Sequence, residues 1–144
     1  MLEEYIDRAA IVDVAVAYAT ALDTGDWKLL GGLFTEDASW AYSGSGEQVR
    51  GRDAIVARLS TGGDRYDATH HLNGNHVTVV SGDEAEHRCY FQAQHIRRGL
   101  PDGEHLLVGG RYDDRLRRTP AGWQITHREV TKVWSEGNPA VSAS

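Results

Sequence analysis

Cysteine is nearly absent from the chain, with a single residue, Cys89, among 144. That excludes an internal disulfide, and it excludes a zinc finger, which needs cysteine pairs. It also fits a reducing compartment, so a cytoplasmic location is expected. Basic residues are scarce too: Lys and Arg total 15 against 21 Asp and Glu, a formal charge of −6. Nucleic acid and anionic membranes both require a basic footprint, so neither is expected as a partner. The one basic cluster, "RLRR" at Arg115 to Arg118, stands just before the turn "TPAG" and reads as a solvated hairpin end. No apolar run is long enough to span a bilayer. Val14 to Leu22 is interrupted by Thr20 and falls far short of the ~20 residues required. The acidic opening "MLEEYIDR" lacks the basic segment that starts a signal peptide. No HExxH and no GxSxG is present, so the usual zinc-hydrolase and serine-nucleophile signatures are missing.

What is present is a change of periodicity partway along the chain. Residues Glu3 to Leu22 read as a helix, with Ile6, Ala10, Val14, Ala17 and Ala21 at helical spacing and acids in the first turn. Thr24-Gly25 stops it. Asp26 caps a second short helix, Trp27 to Phe34, and Asp53 a third, Ala54 to Ser60. From Tyr66 onward the pattern is that of strands. "HVTVV" runs into the hairpin signal "SGDE", and Glu84 to Arg98 alternates with Ala85, Cys89, Phe91 and Ala93 on one face. A further run places Leu106, Val108, Gly110, Tyr112 and Leu116 together, and a last strand extends from Trp123 to Trp134. The expectation is a single α+β domain over residues 1–136, with a flexible tail at 137–144. Three N-terminal helices would cover a curved antiparallel sheet, making a cone-shaped α+β barrel with an interior pocket.

Four residues in this pattern can do chemistry. Asp23 lies at the inner end of the first apolar run. His95 shares strand parity with Cys89, Phe91 and Ala93 and should face the apolar side. In "ATHHL" one of His70 and His71 must face inward. His71 shares parity with Val77 and Val79 unless Gly74 introduces a bulge. Tyr42 shares parity with Trp40. Asp23, Tyr42, His71 and His95 together would make an acid–base site without a cofactor, since imidazole exchanges protons near neutrality. Cys89, Phe91, Val108 and Tyr112 should line its walls. Two histidines and a carboxylate could also hold a metal, but their spacing matches no metal motif, and none is assigned. Tyr18, five residues before Asp23, does not share its helix face.

The stretches "YATALDTGDWKLLGGLFTEDASWAY", "THHLNGN", "GDEAEHRCYFQAQH" and "GWQITHREVTKVW" resemble the SnoaL-like branch of the nuclear transport factor 2-like superfamily. In site residues the chain looks most like scytalone dehydratase and the bile-acid dehydratases. The resemblance implies that His71 removes a proton beside a carbonyl and protonates the departing hydroxyl. It implies that Asp23 pairs with His95 and orients it, and that Tyr42 polarises the carbonyl. Leu22 stands where the dehydratase has a second tyrosine, a role Tyr18 is expected to take. Gly110 and Tyr112 stand at polar positions of that enzyme. The expected function is dehydration of a small, hydrophobic, hydroxylated cyclic ketone, polyketide-like or steroid-like. Isomerisation or aldol cyclisation at the same site is the nearest alternative, and a non-catalytic binding domain or an oxygenase β-subunit the more distant one. Apolar residues on both faces of the last strand, with the habit of the family, lead to an expected homo-oligomer, dimer or trimer.

Overall fold

The computed structural model describes all 144 residues. Helix α1 runs from Leu2–Thr24 and ends at Gly25, whose left-handed backbone (φ 67°) needs a residue without a Cβ. Helix α2 is Trp27–Gly32, capped by the Asp26 carboxylate, which accepts from the Leu29 N–H at 3.0 Å. Strands β1 (Phe34–Tyr42) and β2 (Glu47–Arg50) follow, then helix α3 (Arg52–Gly63). Four long strands complete the sheet: β3 (Ala68–Ser81), β4 (Glu84–Ile96), β5 (His105–Thr119) and β6 (Gly122–Gly137). The expected α+β layering, three helices against one sheet, is what forms.

The sheet order is β2-β1-β6-β5-β4-β3. It departs from the expected antiparallel barrel in two ways. The β1–β6 junction is parallel, and the end strands β2 and β3 do not meet, so the cone stays open. Alternation within a strand reports which face is buried, not which neighbour it finds. A parallel pair needs a long crossover, supplied here by everything between β1 and β6. A β1–β2 hairpin also separates the second helix from the third, and α2 stops at Gly32, not Phe34. Gly51, rather than Asp53, precedes the third helix. The last residues, expected as a tail, form a 3-10 turn (Pro139–Ser142) that buries Val141 completely.

Three bulges decide which side chains face the helices. In β3 the register against β4 shifts between Gly74 and Val77, with Asn75 in the left-handed region (φ 56°). The shift turns His71 inward while Val77 and Val79 face out, so the parity count linking the three fails. In β6 the pairing with β5 shifts between Arg115 and Leu116 and again between Gly109 and Gly110. As a result Ile125, Arg128 and Val130 are all buried, while Val133 and Trp134 are exposed. The last strand carries apolar side chains on both faces, but in other sets than simple alternation gives: Trp123, Ile125 and Val130 are buried, Val133 and Trp134 exposed. The exposed apolar residues Leu72, Val77, Val79, Tyr90 and Val133 stand on the sheet's outer side.

Beneath the helices lies a fully buried ion pair. Arg128 donates from Nε to Asp114 Oδ1 at 2.7 Å and from a terminal nitrogen to Oδ2 at 2.8 Å. Asp114 Oδ2 also accepts from His87 Nδ1 at 2.7 Å, and His87 Nε2 meets His76 Nδ1 at 2.9 Å. The guanidinium lies between two aromatic rings, 4.2 Å from that of Tyr18 and 4.0 Å from that of Tyr112. Its remaining terminal nitrogen has no hydrogen-bond acceptor, so the two π faces are its compensation. Removing one partner from such a pair strands a charge. Asp114→Ala should destabilise the fold by about 3–5 kcal/mol in urea melts, and adding Arg128→Met should restore much of the loss.

Candidate active site

Asp23 sits in the last turn of α1, where a carboxylate opposes the helix dipole. Three hydrogen bonds from β3 hold it there. Oδ1 accepts from His71 Nδ1 at 2.6 Å and from the Thr69 hydroxyl at 3.0 Å, and Oδ2 accepts from the His71 backbone N–H at 2.8 Å. One turn-pair earlier on the helix, Asn73 donates to the Ala15 carbonyl at 3.1 Å, so α1 lies along β3 in fixed register. Burial alone would raise the Asp23 pKa. The hydrogen bonds from the His71 ring and backbone, together with Thr69, outweigh it and hold the carboxyl below its ordinary range. With the ring proton on Nδ1 directed at Asp23, His71 keeps Nε2 for the cavity beside it.

That cavity has a volume of about 340 Å³. Its floor is aromatic: Phe91 and Tyr112 stack at 4.5 Å, and Tyr18 meets Tyr112 edge-on at 5.6 Å. Trp40 donates to the Tyr18 hydroxyl at 3.3 Å. Tyr42, Tyr66, Leu106, Val108 and Val130 contribute walls, and His71 and His95 both open on the space. His71 and His95 are 6.0 Å apart between ring centres. Burial, then the neighbouring His71, lowers the His95 pKa, and Nδ1 faces the Leu106 carbonyl at 3.2 Å. Both effects favour the neutral form, and with Nδ1 donating to that carbonyl the ring offers Nε2 as an acceptor. Burial, then Tyr66, raises the pKa of the Tyr42 phenol, keeping it a hydrogen-bond donor.

The expected pairing of Asp23 with His95 is corrected: the partner of Asp23 is His71. The reason is topological. The end of α1 rests on edge strand β3, which presents Thr69 and His71 beneath it, whereas His95 lies one strand further in, on β4, opposite Thr69. Tyr18, Trp40, Tyr42, Phe91, Val108 and Tyr112 line the cavity. Cys89 and Gly110 do not. Cys89 is sealed beneath the aromatic floor, with its thiol pushed up to about 12 by burial. Gly110 leaves room for the Phe91 ring, whose edge would lie 2.9 Å from an added Cβ, and for the Thr131 carbonyl.

Sequence reasoning passed over Tyr66, the rim cations Arg58, Arg65 and Lys132, and the buried group Asp114, Arg128 and His87. His87 and Asp114 carried a usable signal, since each shares strand parity with a residue assigned inward. Arg128 carried none, because the bulge in β6 hides its parity. His76, His87 and Cys89 bring possible metal-ligating atoms within 4.8 Å of one another. Their chemistry fits a cation poorly. Both His87 nitrogens are already engaged, the thiol holds its proton, and the Arg128 charge adjoins the group.

The chain matches the SnoaL-like domain over residues 3–129 and belongs to that family, with its nuclear transport factor 2-like fold. A curated relative, terrestric acid biosynthesis cluster protein E of Penicillium crustosum, is 31% identical over 140 residues, covering 94% of this chain and 88% of the relative. Two crystal structures from Novosphingobium aromaticivorans are similar. One, provisionally named a scytalone dehydratase, has a TM-score of 0.86 and 25% identity, covering 96% of this chain and 92% of that one. The other, provisionally named an aromatic ring hydroxylase, has a TM-score of 0.84 and 30% identity, covering 96% and 97%.

The lowered Asp23 pKa gives a testable sign. A carboxyl whose pKa is depressed by folding contributes stability above its unfolded value, near 3.8, and loses it as pH falls through the folded value. Wild type should therefore exceed Asp23→Asn in stability at neutral pH. The gap should close below about pH 4, as read from urea melts across that range.

Proposed function

We propose that the protein is a cofactor-independent acid–base enzyme that removes water from a small hydroxylated cyclic ketone. The observation that carries this reading is the Asp23–His71 pair, held by β3 and opening through His71 onto an aromatic-floored cavity. In this scheme His71 Nε2 takes the proton from the carbon next to the carbonyl, and Asp23 stabilises the imidazolium that forms. The electron pair of the broken C–H bond becomes the new C=C bond as the β-hydroxyl leaves. The proton held on His71 passes to that hydroxyl, so water departs and the imidazole is neutral again. Tyr42 donates to the carbonyl oxygen as negative charge builds there. Tyr18, already accepting from Trp40, has its own O–H free for the same oxygen or for a bound water. His95, neutral and accepting at Nε2, receives the substrate hydroxyl and aligns it.

The dehydratase name of one similar structure supports this reaction class, and the biosynthetic-cluster name of the relative supports an enzymatic role. Isomerisation and aldol cyclisation begin with the same proton abstraction and would use the same pair. The hydroxylase name of the other similar structure favours an oxygenase-associated role instead. An imidazole set against a carboxylate and opening on an aromatic-floored pocket is more than such a role requires. The protein is further proposed to act as a homo-oligomer that covers the exposed apolar residues of the outer sheet face, which light scattering would detect.

Turnover of a β-hydroxy ketone, followed by loss of the hydroxyl in product spectra, tests the proposal. His71→Ala should lower turnover about 10²–10⁴-fold in protein that still melts cooperatively, at a somewhat lower temperature because Asp23 loses its ring partner. Asp23→Asn should also be severely impaired, because an amide cannot stabilise the imidazolium. Full activity in His71→Ala would remove His71 from the chemistry.

A further inference from the structure

The chain is acidic overall, yet its cavity is not. Arg58, Arg65 and Lys132 line the cavity, and no carboxylate does. These three side chains are half-buried or exposed, whereas the His71 side chain is only 8% exposed, so the cations form the rim and the imidazoles lie deeper. Not all three charges are spent. Arg58 is paired with Glu47 at 2.6 Å. Arg65 donates to the Ser142 carbonyl at 2.6 Å, a neutral partner that leaves its charge uncompensated. Lys132 has no carboxylate partner, and regular alternation through Thr131 puts it on the same face as Val130, toward the cavity.

Tyr66 connects rim to depth. Its ring packs against His95 with centres 4.8 Å apart. Burial raises its phenol pKa, while Arg65, Arg58 and Arg97 pull it back down, so the hydroxyl lies in a field of three guanidinium groups. One aromatic ring therefore spans the distance between the positive rim and the imidazoles.

We propose that the substrate is an anion: a cyclic hydroxyketone whose carboxylate, or acidic group of like charge, is held at the rim by Arg65 and Lys132 while its apolar ring lies over Phe91 and Tyr112. A neutral ring compound would gain from the aromatic floor but would leave two cations unmatched at the entrance. A charged group there replaces water around Arg65 and Lys132 with charge-assisted hydrogen bonds, and it orients the ring with one edge toward His71. This specificity rests on the acid–base reading of His71 but concerns different residues, so each can fail alone.

Calorimetric titration with 2-naphthoate and its methyl ester tests the proposal without turnover. The acid should bind at least about tenfold more tightly than the ester at neutral pH, and the difference should shrink at high salt. Lys132→Glu should bring the acid-to-ester affinity ratio to one or below, and Arg65→Met should reduce it, with thermal melts confirming folded protein. Equal affinity for acid and ester in the wild type, binding of neither, or an unchanged ratio in Lys132→Glu overturns it. His71→Ala should keep the preference for the acid. If that preference stands and no β-hydroxy ketone is turned over, the dehydratase reading fails and the anion site survives. If neutral ketones are dehydrated in a His71-dependent way with no acid preference, the reverse holds.

Discussion

The contact between Arg128 and Asp114 is the constraint around which the cavity is assembled. An arginine with no exposed surface is costly to bury, and a two-point ion pair with two stacked rings offsets that cost even though one terminal nitrogen lacks an acceptor. Asp114 on β5 takes two of its edges, and the rings of Tyr18 on α1 and Tyr112 on β5 take its two faces. One side chain from β6 thereby fixes a helix and a neighbouring strand at a set separation. Tyr18 and Tyr112 are also the cavity floor, so the same charge that holds the layers together sets the depth of the pocket. Tyr18 passes the constraint on by accepting from Trp40 on β1, across the parallel junction of the sheet.

The opposite end of α1 is anchored in a comparable way. Asp7 accepts two hydrogen bonds from Arg118 and one from the Trp123 indole, which ties the start of the helix to the β5–β6 hairpin. With Arg128 holding the middle at Tyr18 and β3 holding the end at Asp23, the helix has three fixed points. Little freedom remains for Asp23 to turn outward. A carboxylate at a helix C-terminus would normally gain by doing so, because the dipole disfavours it there. Hydrogen bonds from Thr69 and from the backbone and ring of His71 offset that cost and the cost of burial together.

Much of this was legible in the sequence because it depends on period. Helical spacing in the first twenty residues and strict alternation from Ala85 to Ala93 reveal the layers and the inward face of β4, and the spacing and turn residues place Asp23 at a helix end. What was hidden depends on irregularities that local pattern does not carry. The bulge at Asn75 breaks the parity between His71 and Val77, while His71 and Asn73, before it, keep one face. The first bulge in β6 brings Arg128, and by alternation Lys132, to the inner face, and the second, after Lys132, precedes the exposed Trp134. The choice between His71 and His95 as partner of Asp23 turns on strand order. No run of residues encodes that β3 is the edge strand beneath α1. The turn at Pro139–Ser142 looked like a tail because small and polar residues surround the one buried side chain, Val141.

The fold contains two carboxylate–imidazole pairs, and the contrast between them separates structure from chemistry. Asp23–His71 and Asp114–His87 have nearly the same contact distance, 2.6 and 2.7 Å, and both use Nδ1. In the second pair both side chains are 1% exposed, Arg128 occupies both carboxylate oxygens, and the far nitrogen of His87 is taken by His76. A separate cavity is lined in part by His87 and Asp114, but both ring nitrogens of His87 are engaged, so a proton leaving the ring meets only Asp114 or His76. In the first pair the carboxylate's other partners are uncharged, Thr69 and a backbone N–H, so its charge remains available to an imidazolium. The far nitrogen of His71 faces the cavity, with the neutral His95 beside it. Identical local chemistry therefore yields a strut in one place and, in the other, the pair proposed to carry the proton. The difference lies in what meets the second nitrogen of the ring and the second oxygen of the acid.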